Sequence, residues 1–342
     1  MPSKILVTGG LGYIGSHTSV ELIQQGYEII IVDDLSNSST DVLEGIKKIT
    51  GISPEFIKLD LRNKKGVNRL FKDHPDLSGI IHFAAFKAVS ESINQPLEYY
   101  ENNIGSLIHL LQAIESKSKK FSFIFSSSCT VYGQADQLPI TEQAPIKKAE
   151  SPYGNTKQIG EDILYDNTRS NSLLRVISLR YFNPIGGHSS IEIGELPKGK
   201  PQNLVPFITQ TAAGIHQKLN VFGDDYPTLD GTCVRDYIHV VDLAKAHVVG
   251  LKRMMADEQS ENFEVFNLGT GKGKSVIELI KTFEKVSGIT LNYEIVDRRP
   301  GDIVEAYSDT TKANKILGWQ AKNDLEKALK TAWEWEKKIR DF

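Results

Sequence analysis

The sequence predicts an α/β protein: a doubly wound parallel sheet followed by a smaller α+β unit. Three observations carry this. Short, unbroken apolar runs alternate with helix-length stretches through the first half of the chain. A glycine cluster follows the first run and opens the first helix. After Tyr181 the alternation stops, and glycine, proline and scattered charge take over as far as Asn203.

The apolar runs are Ile5–Val7, Ile29–Val32, Glu55–Leu59, Gly79–Phe83, Phe121–Phe125 and Val176–Leu179. They do not alternate with polar residues, as expected of strands covered on both faces. Helices are predicted between them, at Tyr13–Gln25 and Pro96–Lys117 among others. Lys117–Lys120 reads as a solvated turn. Asn183–Asn203 reads as a long loop, and loops of that length are usually functional. In Ser275–Val286 the apolar residues Val276, Leu279, Ile280, Phe283 and Val286 share one face, and Gly288 follows; this is a helix with a glycine stop. Leu325, Ala328, Leu329, Ala332, Trp335 and Ile339 mark a final helix, whose tryptophans are expected to pack. The domains are expected at 1–182 and 183–342, with a segment near 236–254 packing back on the first.

With 342 residues and a formal charge of −3, the chain is not a mainly electrostatic binder of nucleic acid or anionic membrane. No apolar span approaches the ~20 residues of a membrane helix. The two cysteines, Cys129 and Cys233, cannot build a disulfide framework or a zinc cluster. The histidines show no metal-ligand spacing. An apolar run begins at Ile5 and leaves no room for a signal peptide, so a cytoplasmic protein is expected.

Thr8-Gly9-Gly10-Leu11-Gly12-Tyr13-Ile14-Gly15 follows the first strand and opens a helix. Glycines there let the backbone approach a pyrophosphate, and the helix N-terminus presents N–H groups and partial positive charge to it. The second strand ends in Val32-Asp33-Asp34. Asp33 can accept hydrogen bonds from the adenosine ribose and would repel a 2′-phosphate, which favours NAD over NADP. These features specify a Rossmann-type dinucleotide site. Ligands of such sheets sit beyond the carboxyl ends of the strands. Asp60-Leu61 and His82-Phe83-Ala84-Ala85 end the third and fourth strands and are candidates to line the cofactor; His82 itself reads as a packed residue.

Ser126-Ser127-Ser128 ends the fifth strand. Tyr153 and Lys157 follow with the spacing that puts both on one face of a helix, one turn apart. A free phenol has a pKa near ~10, and bringing it to neutrality takes roughly 4 kcal/mol of differential stabilisation. The Lys157 ammonium and a bound nicotinamide cation are expected to supply it. Ser128 can donate to the substrate oxygen or relay its proton.

This combination resembles the extended short-chain dehydrogenase/reductase superfamily, and within it the UDP-glucose 4-epimerases. The resemblance runs through essentially the whole chain. It includes Gly-Tyr-Ile-Gly at 12–15, Val89-Ser90-Glu91-Ser92, Pro96-Leu97-Glu98-Tyr99-Tyr100, Ser126–Gly133 and Leu179-Arg180-Tyr181-Phe182-Asn183-Pro184. It continues in Gly223-Asp224-Asp225-Tyr226-Pro227-Thr228, Asp230-Gly231-Thr232, Val234-Arg235-Asp236-Tyr237-Ile238-His239-Val240, Phe266-Asn267-Leu268-Gly269 and Arg298-Arg299-Pro300-Gly301-Asp302.

The resemblance implies NAD that stays bound while Tyr153 removes the proton of the sugar 4-hydroxyl. The 4-keto sugar then turns over and C4 is inverted, aided by Ser128 and Lys157. It implies cofactor contacts from Gly9, Gly12, Tyr13, Ile14, Gly15, Asp33, Asn37, Ser38, Asp60, Leu61, Phe83, Ala84, Ala85, Lys87, Asn102, Ser126, Tyr153, Lys157 and Phe182. It implies UDP-sugar contacts from Ser128, Tyr153, Tyr181, Asn183, Asn203, Leu204, Val221, Phe222, Arg235, Tyr237, Arg299, Asp302 and Ala306. Arg235 and Arg299 would neutralise the diphosphate. Ala306 would lie beside the sugar C2 substituent, where a small residue leaves room for an acetamido group. A homodimer is implied as well.

The chain departs from the family pattern in two places. Asn102-Asn103-Ile104-Gly105-Ser106 is one residue shorter than usual, and Asn155-Thr156 replaces a commoner basic–hydroxyl pair. Three rival readings are weaker, among them a decarboxylase, which would need a 6-carboxylate site that the sequence does not show. A 4,6-dehydratase would need an Asp-Glu pair where Cys129 and Thr130 stand. A non-catalytic NAD-sensing protein would have no need of Ser128, Tyr153 and Lys157 together.

Overall fold

The computed structural model describes residues 3–115, 117–299 and 302–340. Pro300 and Gly301 of the Arg-Arg-Pro-Gly-Asp motif lie outside them.

The first half runs β1 (Lys4–Thr8), α1 (Tyr13–Gln24), β2 (Glu28–Asp33), α2 (Asp41–Thr50), β3 (Glu55–Lys58), α3 (Lys64–Asp73), β4 (Leu77–His82), α4 (Val89–Asn94), α5 (Pro96–Tyr100), α6 (Ser106–Ile114), β5 (Phe121–Ser128), α7 (Pro152–Ser170) and β6 (Leu174–Tyr181). It continues β7 (Asn183–Ile185), α8 (Leu204–Ala212), β8 (Leu219–Phe222), β9 (Val234–His239), α9 (Val240–Met255), β10 (Phe263–Leu268), β11 (Gly273–Ser275), α10 (Val276–Ser287), β12 (Tyr293–Val296), β13 (Glu305–Ala306) and α11 (Leu325–Arg340).

Two compact units divide the chain. The first comprises residues 1–133, 145–181 and 244–266; the second comprises 134–144, 182–243 and 267–342. The return segment thus starts later than the expected 236–254 and carries a strand of its own.

In the first unit a seven-stranded sheet has the order β10-β6-β5-β4-β1-β2-β3. The pairings from β3 through β6 are all parallel. Every crossover in this set needs a helix, which is why strand and helix alternate in the sequence. Leu6, Ile30, Ile80, Phe123 and Val176 are fully buried, as unbroken apolar runs require. β3 is the exception: at the sheet edge its Glu55 and Lys58 are exposed. Register aligns Thr8 with Val32 on one side and His82 on the other, and Ser128 with Tyr181. The carboxyl ends of these strands therefore form one edge, with the reversal of strand order between β1 and β4.

The predicted helix Pro96–Lys117 forms from Pro96 to Ile114, but it is not α-helical throughout. α5 and α6 are joined by a π-helical turn over Glu101–Gly105, within the run that is one residue short. Such turns inside helices often mark functional sites.

In the second unit β9 is central, with β11 antiparallel and β13 and β7 parallel to it. β8 and β12 form a separate parallel pair. β7 lies inside the stretch expected to be wholly loop. Ile208, Leu279, Ile280, Phe283 and Leu329 are fully buried, with Trp333 edge-on to Phe283 at 5.8 Å. The predicted glycine stop of α10 is present: Gly288 has φ 72°, and Ser275 and Glu278 close a capping box at the other end. The 134–144 segment joins this unit through Ile140, which donates to the Tyr307 carbonyl at 2.9 Å and accepts from Asp309 at 2.8 Å. Among the described residues no helix is long and apolar enough to cross a membrane.

Candidate active site

The glycine loop is fixed by close backbone approach. Gly9 has φ 64°, and a Cβ there would stand 2.7 Å from the Ala84 nitrogen; at Gly15 it would stand 2.2 Å from the Gly9 oxygen. Gly12 is the N-cap of α1 and brings no side-chain acceptor. A helix capped in this way turns its positive end and N–H groups toward an anion. The residues present therefore fit a dinucleotide pyrophosphate.

Asp33 ties this loop to the next. Its carboxylate accepts from Leu11 N at 3.1 Å, Leu35 N at 3.0 Å and Ser38 Oγ at 2.7 Å. Lone pairs remain for a ribose hydroxyl. Asn37 is exposed beside it. Asp60 is held below the usual carboxylate range by Arg62, which binds it through Nε and Nη2 at 2.8–3.1 Å. Leu61 is buried. Phe83 N bonds the Thr8 carbonyl at 3.0 Å, and Ala84 N reaches Thr8 Oγ1 at 3.4 Å. Ala85 follows half-buried and Lys87 exposed. His82 is packed, with Nδ1 2.8 Å from Thr8 Oγ1. Burial and then the Lys157 charge hold its pKa near 3, so it is neutral. Asn102 is buried and donates to Asn103 Oδ1 at 3.0 Å.

Tyr153, Ser128 and Lys157 are brought together. α7 begins at Pro152 with Ser151 as its cap, which places Tyr153 in the first turn and Lys157 one turn on. Ser128 is hydrogen-bonded to the Tyr153 phenol. The Lys157 ammonium lies 5.9 Å from the Tyr153 ring centre and donates to the Ser126 carbonyl at 2.7 Å. Burial pushes the Tyr153 phenol well above its ordinary range, the Tyr181 phenol adds to this, and the Ser128 hydrogen bond opposes it. Protein groups alone therefore keep Tyr153 protonated at neutral pH. Burial also lowers Lys157 to about 8, while Glu161 works to raise it. Tyr181, hydrogen-bonded to Ser126, is pushed up to about 12 by burial.

Sequence reasoning missed Glu161, one further turn along α7. Its buried carboxylate accepts from Ser127 Oγ at 2.6 Å, Ser178 Oγ at 2.7 Å and Arg180 Nε at 2.9 Å, and pairs with Arg180 Nη2. Arg180 in turn donates to Tyr132 Oη at 3.0 Å. The Tyr153–Lys157–Glu161 spacing of four residues was the available signal.

In the second unit four of the expected UDP-sugar residues meet at β9. Asn183 is the register partner of Tyr237, and Ala306 that of Arg235. Arg235 Nη1 donates to the Val234 and Val304 carbonyls at 2.9 and 3.4 Å. Arg299 pairs with Asp302 at 2.7 Å and lies 5.3 Å from the ring of Phe222, which ends β8 half-exposed after the buried Val221. Asn203 caps α8 ahead of Leu204 and donates to Glu195 at 2.7 Å. Phe182 is buried, its N–H on the Leu268 carbonyl at 3.2 Å. The Asp-Tyr-Pro-Thr motif proves to be a closed turn. Arg298 stacks 4.0 Å over Tyr226 and pairs with Asp225 at 2.6 Å, which fixes the backbone next to Arg299.

Comparison with known proteins agrees with this geometry. The family described as GDP-mannose 4,6 dehydratase matches residues 6–332. A UDP-glucose 4-epimerase of Bacillus subtilis is 49% identical over 332 residues, 97% of this chain and 96% of that protein. The chain belongs to the UDP-glucose 4-epimerase family. Two solved members superpose closely. The Stenotrophomonas maltophila enzyme, crystallised with NAD and formylated UDP-arabinopyranose, has a TM-score of 0.95 at 45% identity. The Bifidobacterium longum enzyme, with NAD+ and UDP, has 0.94 at 44%. In both pairs 99% of each chain is covered. Cys129 and Thr130, which stand where the dehydratase reading requires an Asp-Glu pair, offer no acid to expel a hydroxyl as water.

The Glu161–Arg180 pair generates a stability prediction. Glu161→Gln leaves a buried guanidinium without its counter-charge and should cost about 3–5 kcal/mol. Thermal and urea unfolding should show the loss. The double variant Glu161→Gln/Arg180→Met should regain most of it, because no buried charge then lacks a partner.

Proposed function

We propose that this chain interconverts UDP-glucose and UDP-galactose by inverting C4, with NAD held through the cycle. The observation that carries the reading is the Ser128–Tyr153–Lys157 group at the edge where the strands end, beside a glycine loop too tight for side chains.

Tyr153 is the proton acceptor for the sugar 4-hydroxyl, and Ser128 hydrogen-bonds the same oxygen. When bound, NAD supplies a hydride acceptor that gives the hydride back in the same turnover, together with a positive charge near the phenol. That charge matters here, because burial otherwise keeps Tyr153 neutral. Lys157 adds to it from one turn away and remains largely protonated below about pH 8. Asp33 selects NAD over NADP by facing the ribose with a carboxylate. Asn183, Tyr237, Arg235 and Arg299 hold the nucleotide end. Binding energy is thereby spent on a group that does not react, while the 4-keto sugar is free to turn. The family resemblance supports a homodimer acting in the cytoplasm.

Purified protein incubated with UDP-galactose should yield UDP-glucose on chromatography, and denatured protein should release NAD(H) rather than NADP(H). Tyr153→Phe should lose at least the roughly 10²–10⁴-fold a general base contributes, with NAD retained. Turnover within a few-fold of wild type would remove Tyr153 from the role of base.

Arg235→Ala and Arg299→Ala should each weaken UDP binding about tenfold or more, since a charge-assisted partner is worth about 1.5–3 kcal/mol. Calorimetry with UDP measures this. Wild-type affinity in either variant means that arginine does not meet the diphosphate.

Ala306 supports a wider substrate range. It pairs with Arg235 in register, and its neighbour Tyr307 packs its ring over Gly273, where a Cβ would stand 3.0 Å from Tyr307 Cδ1. Successive side chains leave a strand on opposite faces, so Tyr307 does not refill the space beside Ala306. UDP-N-acetylgalactosamine should therefore be epimerised as well as UDP-galactose. Ala306→Tyr should cut kcat/KM for the N-acetylated sugar selectively, by the about 1–3 kcal/mol of an overpacked site. Equal acceptance of both sugars by the variant would overturn the assignment.

A further inference from the structure

The two departures from the family pattern, the short Asn102–Ser106 run and Asn155-Thr156, touch each other. Asn103, in the π-helical turn, is buried and uses every hydrogen-bonding position of its carboxamide. Oδ1 accepts from Phe86 N at 2.8 Å and Asn102 Nδ2 at 3.0 Å. Nδ2 donates to the Phe86 carbonyl at 3.0 Å and to Thr156 Oγ1 at 3.0 Å. Thr156 Oγ1 in turn donates a hydrogen bond to the Tyr153 carbonyl at 2.7 Å. Beside it, Asn155 Nδ2 donates to Tyr100 Oη at 2.7 Å.

The other end of the same strap closes on the loop after β4. The buried Tyr99 hydroxyl lies 3.0 Å from Ala88 N and 2.9 Å from the Ala88 carbonyl. Lys87 is thus bracketed, with Phe86 held by Asn103 on one side and Ala88 held by Tyr99 on the other. An α-helical continuation from α5 to α6 would turn residue 103 to a different bearing. The wider π turn gives Asn103 its reach to both partners.

We propose that Asn103 is a positioning residue of the reaction: its carboxamide locks the Lys87 loop and the Tyr153–Lys157 turn of α7 into one unit, so that cofactor grip and base orientation are set together. The inference rests on the roles proposed above for Lys87, Tyr153 and Lys157. Asn103 would act through Phe86 and Thr156, the partners its carboxamide holds.

The arms can be cut separately. Thr156→Val keeps shape but removes the hydroxyl that links Asn103 to the Tyr153 turn. Thr156→Ser keeps the hydroxyl. Asn103→Asp keeps shape but loses both donors. Wild type is assayed first with UDP-galactose; its failure to turn over would count against the epimerase reading itself, before any variant is compared. With an active wild type, Thr156→Val should lower kcat roughly ten- to a hundredfold, the scale of a small misplacement of a reacting group. Its KM and bound NAD(H) should stay near wild type, and Thr156→Ser should restore most of kcat. Asn103→Asp should lower kcat and also lose NAD(H) on gel filtration, because the Lys87 loop is released as well. The proposal is overturned by Thr156→Val with kcat near wild type, by Thr156→Ser as impaired as Thr156→Val, or by Asn103→Asp with full kcat and full NAD(H). If Asn103→Asp does not fold, the Thr156 pair alone decides.

Discussion

Ser127 at the end of β5, Ser178 and Arg180 on β6, and the third turn of α7 all meet at one buried carboxylate, that of Glu161. Burying a carboxylate is unfavourable unless its lone pairs are filled and its charge is matched. Here both conditions hold only when α7 lies in one place along the two strands. That placement puts Lys157 over the Ser126 carbonyl and Tyr153 against Ser128. The same carboxylate raises the ammonium that burial would otherwise discharge. Position and protonation of the reacting group thus share one cause.

The second unit uses the same device on a strand. Asp236 is fully buried, and its oxygens accept from Thr270 N and Oγ1, Gly271 N, and Ser308 N and Oγ at 2.6–3.2 Å. It fastens the chain on either side of β9, including the segment that carries Ala306. Side chains alternate along a strand, so Arg235 and Tyr237 leave the face opposite Asp236. Scaffold residues and the residues proposed to meet ligand are therefore interleaved, at period two on β9 and at one helical turn on α7.

This interleaving explains what the sequence made legible. The glycine loop, Asp33 and the Tyr-x-x-x-Lys pair could be read because each is local: a turn, a strand end, one turn of helix. The capping glycine at 288 was legible for the same reason. Glu161, Asp236 and Asn103 were not, because each works through partners far along the chain, such as Ser308 for Asp236 and Phe86 and Thr156 for Asn103. β10 escaped notice because it returns to the first sheet after the second unit has begun. The 134–144 segment was hidden similarly: Ile140 meets Tyr307 and Asp309, more than 160 positions away. The π turn was not visible; the sequence showed only that the run there is shorter than usual. Periodicity could signal that something differed there, but not that the helix passes through a wider π turn.

How the acidification of Tyr153 divides between Lys157 and a bound nicotinamide cation was not legible for a related reason. Spacing placed the two groups on one helix face, and that was right. It could not show that Lys157 donates to the Ser126 carbonyl, or that Tyr153 is buried with Tyr181 as a second phenol nearby. Burial opposes charge on both members of the pair: it raises the phenol and lowers the ammonium. A pair built this way is poor at proton removal by itself and becomes effective only with additional positive charge in the site. That suits a redox-neutral cycle. An oxidised nicotinamide would supply that charge and strengthen the proposed base, and its reduced form would not.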